Sequence, residues 1–385
     1  MKYLWQKSKD KNIRFPISLK LMVVTTVLLL TVTYLIASQS SVFFQKEIKA
    51  THEQSNQTRS SNHATQIEVL IQSYIDRIRM IATVMTKKFD NSVEKQEMTD
   101  LIFKTEKDIV AVDIFEMKEQ EYKSIQTFIN VDSLKLYNLG EEYFPHLQKV
   151  KPFPIKSVYS GKIEVINSSL SNGMPLLSIG IPFIKDDFDN VSHIAIAYIK
   201  LEKIQKIFST PGAAELFLVD KEGFVLAHPN DKFALDSLSL VDNPLVKLAI
   251  NSKFRSNHLP SFVNPFDSRT YYGVFNRTLF GISVIAQIRE DVILEPAKQV
   301  QREAYFVGGL VISITLSLIF LFSVSLTGPL EKLLEITYEV AKGNFNVNAR
   351  NKIKSRDEVG DLASAFDKMT MGLKALVKTQ GADVA

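Results

Sequence analysis

The chain contains few groups of side chains that could carry out chemistry together. The acidic run at 186–190 (DDFDN) offers oxygen ligands for calcium, but it lacks the spacing and the glycine of an EF-hand loop and is better interpreted as a solvated hairpin turn. His228 precedes Pro229, and we interpret it as the end of a strand and not as a metal ligand. The six histidines are scattered, and there is no phosphate-binding loop or H-E-x-x-H motif. The sequence therefore predicts no catalytic residue, no metal site and no cofactor.

A second acidic group, Asp357-Glu358, suggests an electrostatic role instead. Carboxylates favour the positive end of a helix dipole, and Ser355 stands three residues before Glu358, as in a capping box. Upstream, Gly343 is well placed to end a preceding helix. The spacing thus predicts two helices joined by a connector at 344–354.

Apolar residues in both predicted helices recur at coiled-coil spacing. In the second helix the intervals are 3, 4, 3, 4 and 3, which make a heptad pattern over almost three repeats. The first helix carries a shorter pattern of the same kind. The predicted core positions are Leu330, Leu333, Val340, Val359, Leu362, Phe366, Met369, Leu373 and Leu376.

The combination of these motifs resembles a HAMP domain, which we place at 327–379, with a short tail at 380–385. The resemblance rests on Pro329-Leu330, the AKGNF sequence at 341–345 and the Asp-Glu-x-Gly sequence that ends at Gly360. It implies a parallel four-helix coiled coil formed by two chains, in which the acidic pair helps to hold one helix packing. The implied signalling positions are Pro329, Gly343, Asp357, Glu358 and Gly360.

Two long uncharged runs predict membrane spans. The run at 304–326 has 23 residues, and a helix of that length, about 34 Å, crosses a hydrocarbon core of ~30 Å. The first run, 21–37, is near the short limit and extends to about 43. It could be a cleaved signal peptide, because a small-residue site lies near Ala37, but it exceeds the usual apolar length of such peptides, so we interpret it as a retained anchor.

Charge and composition set the orientation and exclude several partners. The segment 1–20 carries six basic residues and one acidic residue, which places it in the cytoplasm and leaves 44–303 outside. The net charge of +4 is scattered and no nucleic-acid motif accompanies it, so no nucleic-acid partner is predicted. There is no cysteine, which excludes disulfides and thiolate metal sites.

The outer region combines a long helix with two sheets. No glycine or proline occurs between Pro16 and Gly140, and apolar residues from Ile67 to Met85 recur every three or four positions, which predicts one helix ending near Phe89. Five strands of one antiparallel sheet follow between about 100 and 205, with a loop at 140–154. A second, smaller sheet of four strands follows at 212–290. The overall prediction is an α+β protein.

The segment at 216–230 (LFLVDKEGFVLAHPN) resembles the second module of a double Cache sensor, whose modules are PAS-like antiparallel sheets. The resemblance covers 44–303 and implies that the membrane-distal module binds a small molecule. Tyr143, Tyr159 and Ser160 are candidate ligand-binding residues. The Arg-plus-aromatic pattern of amino-acid-binding members is not seen, so the sequence does not support an amino-acid ligand.

These patterns predict a two-span receptor of the bacterial inner membrane, with a periplasmic or extracellular sensor. It would act as a parallel homodimer in the lipid bilayer, and one near-continuous helix from about Asp291 to Gly343, with Pro329 as its only expected bend, would relay the signal. The output would be a domain beyond Ala385 or a partner protein. Three alternatives stay open: the sensor part of a nucleotide cyclase, phosphatase or histidine kinase; a binding or scaffold protein; and, less favoured, a methyl-accepting chemoreceptor.

Overall fold

The computed structural model describes residues 17–87, 92–118, 121–140, 142–170, 173–210 and 212–382. The basic N-terminal residues before Ile17, the predicted helix end at Phe89 and the last three residues lie outside these ranges. The chain divides into two compact units. One is Gln45–Pro296, and the other combines the N-terminal segment up to Phe44 with the C-terminal segment from Ala297.

The chain begins with the long helix that the absence of glycine and proline predicts. Helix α1 is Ile17–Met85, and α2 follows at Ser92–Thr105. The apolar positions of the second half of α1 are at most 1% exposed, so the predicted periodicity is confirmed as a buried face. These positions are Ile67, Ile71, Tyr74, Ile78, Ile81 and Met85.

The first sheet has the five antiparallel strands that the sequence predicts. The strands are β1 (Ile109–Lys118), β2 (Glu121–Ile129), β3 (Glu164–Asn167), β4 (Leu176–Lys185) and β5 (Val191–Lys200). Their order in the sheet is β2-β1-β5-β4-β3. One face packs in the same core as α1, and the other is covered by helices. We call this part of the chain the distal module.

The predicted loop at 140–154 is wrong in part, because it contains a helix. The helices of this region are α3 (Val131–Leu136), α4 (Tyr143–Val150) and α5 (Ile155–Tyr159). Helix α4 buries Tyr143, Phe144 and Leu147 on one face, and this amphipathic pattern was hidden by the glycine and prolines that flank it. Helix α6 (Glu202–Phe208) then leads to the second sheet.

The second sheet, which we call the proximal module, has five strands, one more than predicted, and contains fewer strand residues than the first, as predicted. Its strands are β6 (Glu215–Val219), β7 (Val225–Ala227), β8 (Ser256–Val263), β9 (Thr270–Arg277) and β10 (Ser283–Arg289), in the order β7-β6-β10-β9-β8. Helices α7 (Asp231–Leu235) and α8 (Pro244–Asn251) accompany them. The prediction missed β8, because this edge strand is mostly exposed and contains Pro260, which argues against a strand in a sequence.

The C-terminal part is helical. Helix α9 is Glu290–Ala341, α10 is Ala349–Lys352 and α11 is Glu358–Ala382. The long helix predicted from about Asp291 is confirmed, and it continues through Pro329. Helices α1 and α9 are both long and apolar enough to cross a membrane, and their apolar windows are almost wholly exposed.

Candidate functional site

A buried carboxylate lies on the helix-covered face of the distal sheet. Asp113, in the middle of β1, is 3% exposed. Its Oδ1 accepts hydrogen bonds from Ser124 Oγ at 2.8 Å and Thr127 Oγ1 at 2.9 Å, both on β2. Its Oδ2 accepts one from Gln148 Nε2, on α4, at 2.7 Å. All three donors are neutral, and no cation pairs with Asp113 within the part of the chain that the structure describes.

Tyr198 lies next to this carboxylate, and further aromatic rings lie on the same module. The Tyr198 hydroxyl on β5 accepts a hydrogen bond from Gln148 Nε2 at 3.3 Å, and its ring packs on Phe144 with centroids 4.8 Å apart. Burial raises the pKa of Tyr198 to about 12. Tyr159 stacks on Tyr122 at 4.8 Å. Rings and a carboxylate on one face form a setting suited to an organic cation.

The three residues predicted as ligand contacts have different surroundings. Tyr143 and Tyr159 are buried in one apolar cluster, on α4 and at the end of α5. The Tyr159 hydroxyl is buried without a hydrogen-bond partner within the described residues, and the Tyr143 hydroxyl approaches the backbone of Met174 without hydrogen-bond geometry. Ser160 is exposed, and its hydroxyl donates to the Ser157 carbonyl at 2.6 Å at the end of α5, so it is not grouped with the tyrosines.

Asp113, Gln148 and Tyr198 were missed by the prediction from sequence. The available signal was an acidic residue between Val112 and Ile114, inside the otherwise apolar run 109–115. A buried carboxylate needs hydrogen-bond partners, so such a residue marks a polar site inside a core.

Replacement of Asp113 by asparagine is expected to change how stability depends on pH. Burial raises the pKa of Asp113, against the hydrogen bonds from Ser124, Thr127 and Gln148 that lower it. The unfolded chain therefore releases this proton at lower pH than the folded chain, and stability falls as pH rises through the folded pKa. Asp113→Asn should remove this loss of stability. The measurement is the melting temperature at a series of pH values from acid to neutral.

The matched control for Asp113→Asn is Asp187→Asn, because Asp187 is exposed in the β4–β5 turn. This control should track the wild type at every pH. If Asp113→Asn lost stability relative to the wild type as pH rose from acid to neutral, the buried carboxylate would be stabilising and the argument would be wrong.

Two residues that the sequence analysis singled out, Gly343 and Asp357, lie at the ends of the C-terminal helices. Gly343 has φ +89°, with hydrogen bonds from Gly343 N to Val340 O at 2.9 Å and from Asn344 N to Glu339 O at 3.1 Å, which is the Schellman arrangement. The cap of α11 is Asp357, whose Oδ1 accepts from Val359 N at 3.1 Å and from Gly360 N at 3.3 Å.

The predicted capping box with Ser355 as the cap is wrong. Ser355 Oγ instead donates to Asp357 Oδ1, so it orients the residue that makes the cap. Asp357 makes the cap because it lies directly before the first helical residue and is closer than Ser355 to the first amides of the helix. The Ser355 hydroxyl and the helix amides hold the pKa of Asp357 below its usual range.

The connector between α9 and α11 is attached to α11 by two side chains. Asp367, 8% exposed, accepts hydrogen bonds from Ala349 N at 2.6 Å and from Arg350 N at 2.8 Å. Arg350 in turn donates to Gly360 O at 2.9 Å and to Ser355 O at 3.3 Å. Glu358 is exposed and makes no ion pair within the described part of this single chain.

Burial within one chain divides the predicted coiled-coil core into three groups. Leu333 and Val359 are buried, together with Ile336, Ala349, Ile353 and Ala363, which the prediction did not include. Val340 and Phe366 are partly buried. The exposed members are Leu330 at 42%, Leu362 at 52%, Met369 at 51%, Leu373 at 39% and Leu376 at 64%.

These features define a transmembrane signalling protein with a HAMP domain. The sequence profile of the HAMP domain family matches residues 321–375, which begin within the predicted second span.

Among curated proteins, the chain is similar to the methyl-accepting chemotaxis protein McpC of Bacillus subtilis (strain 168). The two are 27% identical over 195 residues, which are 50% of this chain and 28% of McpC. The matched segment is thus well under half of the relative's length.

Among solved structures, similarity is found to sensor domains. The ligand-binding domain of Mlp24 with asparagine has a TM-score of 0.41 at 14% identity, covering 66% of this chain and 99% of that one. The ligand-binding domain of the Pseudomonas aeruginosa PAO1 amino acid chemoreceptor PctC, in complex with GABA, has a TM-score of 0.40 at 13% identity, covering 60% and 96%. The sensory domain of the Campylobacter jejuni chemoreceptor Tlp3 with isoleucine has a TM-score of 0.39 at 12% identity, covering 65% and 98%.

Proposed function

We propose that this chain senses a small molecule outside the cytoplasmic membrane of a bacterium and relays the signal through α9 to its HAMP domain. One observation carries the proposal. Helix α9 starts at Glu290, directly after the last residue of β10, contains the predicted span and ends at Ala341 inside the HAMP match. A single element therefore joins the last strand of the sensor to the first HAMP helix, without a flexible linker.

The orientation rests on the charge of the first residues. The basic segment before the first span favours the cytoplasm, which leaves Gln45–Pro296 outside and returns the HAMP domain to the cytoplasm. The exposed apolar windows of α1 and α9 support lipid contact, because such surfaces are costly in water.

A parallel homodimer is supported by the exposed HAMP residues. Leu362, Met369, Leu373 and Leu376 are all at least 39% exposed in the single chain, although they continue the heptad pattern. Apolar residues at these spacings pack against a second helix in coiled coils. The partner that fits is a second copy of the same helix.

We place the ligand on the helix-covered face of the distal module, beside Asp113. Within the described residues Asp113 is surrounded by neutral donors and lacks a counter-charge, and the nearby Tyr198 offers a ring that attracts cations. In the same apolar cluster as Tyr198, the Tyr159 hydroxyl has no hydrogen-bond partner within the described residues. A small organic cation, such as a primary amine, fits this chemistry.

The ligand proposal is tested by titrating the full chain in nanodiscs with a panel of primary amines and the corresponding carboxylic acids. Binding by at least one amine, lost on Asp113→Asn and kept on Asp187→Asn, would support it. A panel in which only acids bind, or in which Asp113→Asn binds as well as the wild type, would contradict it.

For the output, we propose a domain or partner protein that HAMP controls. The similarity to a chemotaxis protein supports a signalling output of this kind.

Replacement of Glu358 or Pro329 by alanine is expected to change the ratio of the two HAMP packings. In the full chain fused to a reporter kinase, Glu358→Ala or Pro329→Ala should change the basal output several-fold, because a shift of about 1 kcal/mol between two packings changes their ratio about fivefold. Lys368→Ala, on an exposed position of α11, is the control and should leave the output unchanged. Unchanged output in both test variants would exclude the relay.

A further inference from the structure

The two modules of the sensor meet through opposite charges, and the two carboxylates among them are buried. Glu164, the first residue of β3, has an 8% exposed side chain and forms an ion pair with Lys221, in the turn after β6. Lys151, which follows α4, is half-buried and interacts electrostatically with Asp220, which is 2% exposed. We call these four residues the inter-module charge cluster.

Each carboxylate of the cluster also organises the backbone or a helix of its own module. Asp220 Oδ1 accepts hydrogen bonds from Glu222 N and Phe224 N, both at 2.9 Å, and so shapes the turn that precedes β7. Glu164 accepts a hydrogen bond from Ser157 Oγ, on α5 of the distal module. A displacement of Asp220 or of the Glu164–Lys221 ion pair therefore moves a turn or a helix and not only side chains.

A third connection runs between the modules next to the cluster. The Asn167 side-chain amide, at the end of β3, donates to Val225 O at 2.5 Å and to Ala234 O at 3.3 Å in the proximal module. Its Oδ1 accepts from Ser169 N at 2.7 Å. Asn167 is 5% exposed, so these bonds have little competition from water.

The helices that cover the proposed ligand site end at this cluster. Helix α4 carries Gln148, which binds Asp113, and Lys151 follows directly after the helix. Helix α5 carries both Tyr159 and Ser157. A shift of α4 or α5 at the ligand site therefore also moves Lys151 or Ser157, which lie within one helical turn of it.

We propose that the inter-module charge cluster couples the distal ligand site to the proximal module. A ligand that displaces α4 or α5 shifts Lys151 or Ser157, and the Glu164–Lys221 ion pair, together with the attraction between Lys151 and Asp220, moves the turn at 220–223. This coupling rests on the proposed sensory function. Because separation from Lys221 would leave the buried Glu164 carboxylate uncompensated, this pair transmits displacement instead of separating.

The coupling can be tested without a ligand, by using Asp113→Asn as the perturbation. Amide hydrogen exchange of residues 215–228 is measured in the full chain in nanodiscs, with and without Asp113→Asn. The backgrounds are wild type, Glu164→Lys, Lys221→Glu and the charge-reversed double variant. Asp113→Asn should change exchange in this segment at least threefold in the wild type and in the double variant, and not in either single variant.

Equal changes in all four backgrounds, or none in the wild type, would overturn the coupling. If the single reversals fail to fold, Glu164→Gln and Lys221→Met replace them, since they remove the pair without placing like charges together. A failed amine titration would remove the ligand proposal while leaving this result interpretable, because the perturbation here is a substitution.

Discussion

Replacement of Gly360 by alanine should disrupt the HAMP connector and shift the signalling output. A Cβ built at Gly360 would lie 2.2 Å from Ser355 O and 2.7 Å from Arg350 Nη1. The carbonyl is main chain, so it cannot move away as a flexible side chain would. The connector must shift, and the Arg350 bond to Gly360 O and the Asp357 cap of α11 are lost with it.

We expect Gly360→Ala to destabilise the HAMP unit by about 1–3 kcal/mol, the usual range for overpacking. Hydrogen exchange at 344–360 in the full chain should rise, and the reporter output should change in the same samples. A purely local loss of stability would raise exchange without changing the output, so the two measurements together test the relay.

Gly372→Ala is the matched control on the same helix. Nothing lies within 4 Å of a Cβ built at Gly372 in this chain, and alanine is a better helix former than glycine by up to ~1 kcal/mol. This variant should leave connector exchange unchanged or slow it slightly. If Gly372→Ala loosened the connector as much as Gly360→Ala, the contact with Ser355 would not be the cause.

The C-terminal elements could be predicted because their signals are local. Gly343 and Asp357 act on amides within one helical turn, and periodic apolar residues identify the helices regardless of tertiary structure. The attachment of the connector by Asp367 could not be predicted, because it joins residues 17 and 18 positions apart. The exact cap was also misassigned, since Ser355 and Asp357 both satisfy the same sequence rule.

The sensor domain likewise contains some elements that could be predicted from the sequence and others that could not. Strands β1 and β5 are rich in apolar residues that any pairing would bury, and they lie within the region where the sequence predicts the first sheet. Strand β8 was missed because it contains Pro260, which a sheet tolerates at its edge, and edge position is a property of the fold. The role of Asp113 likewise depends on α4, which crosses the sheet 35 residues later in the chain.

Replacement of Met369 by glutamate should break the proposed homodimer. Met369 is 51% exposed in the single chain and occupies a core position of the heptad pattern. In a parallel dimer the two glutamates would face each other in an apolar core, which costs several kcal/mol, so dimer formation should fall by on the order of tenfold or more. The chain has no cysteine, so Leu376→Cys provides a unique thiol for oxidative cross-linking between two copies.

Met371→Glu is a matched control, because it makes the same chemical change two residues away. Met371 is 63% exposed and lies outside the heptad core, so glutamate there should remain in water. In membranes, the Leu376→Cys chain should cross-link, Met371→Glu should preserve the product and Met369→Glu should reduce it. Equal loss in both variants would indicate general destabilisation of α11. Equal cross-linking in both would show that Met369 does not face a second copy, and the exposed heptad residues would then need a partner other than this chain.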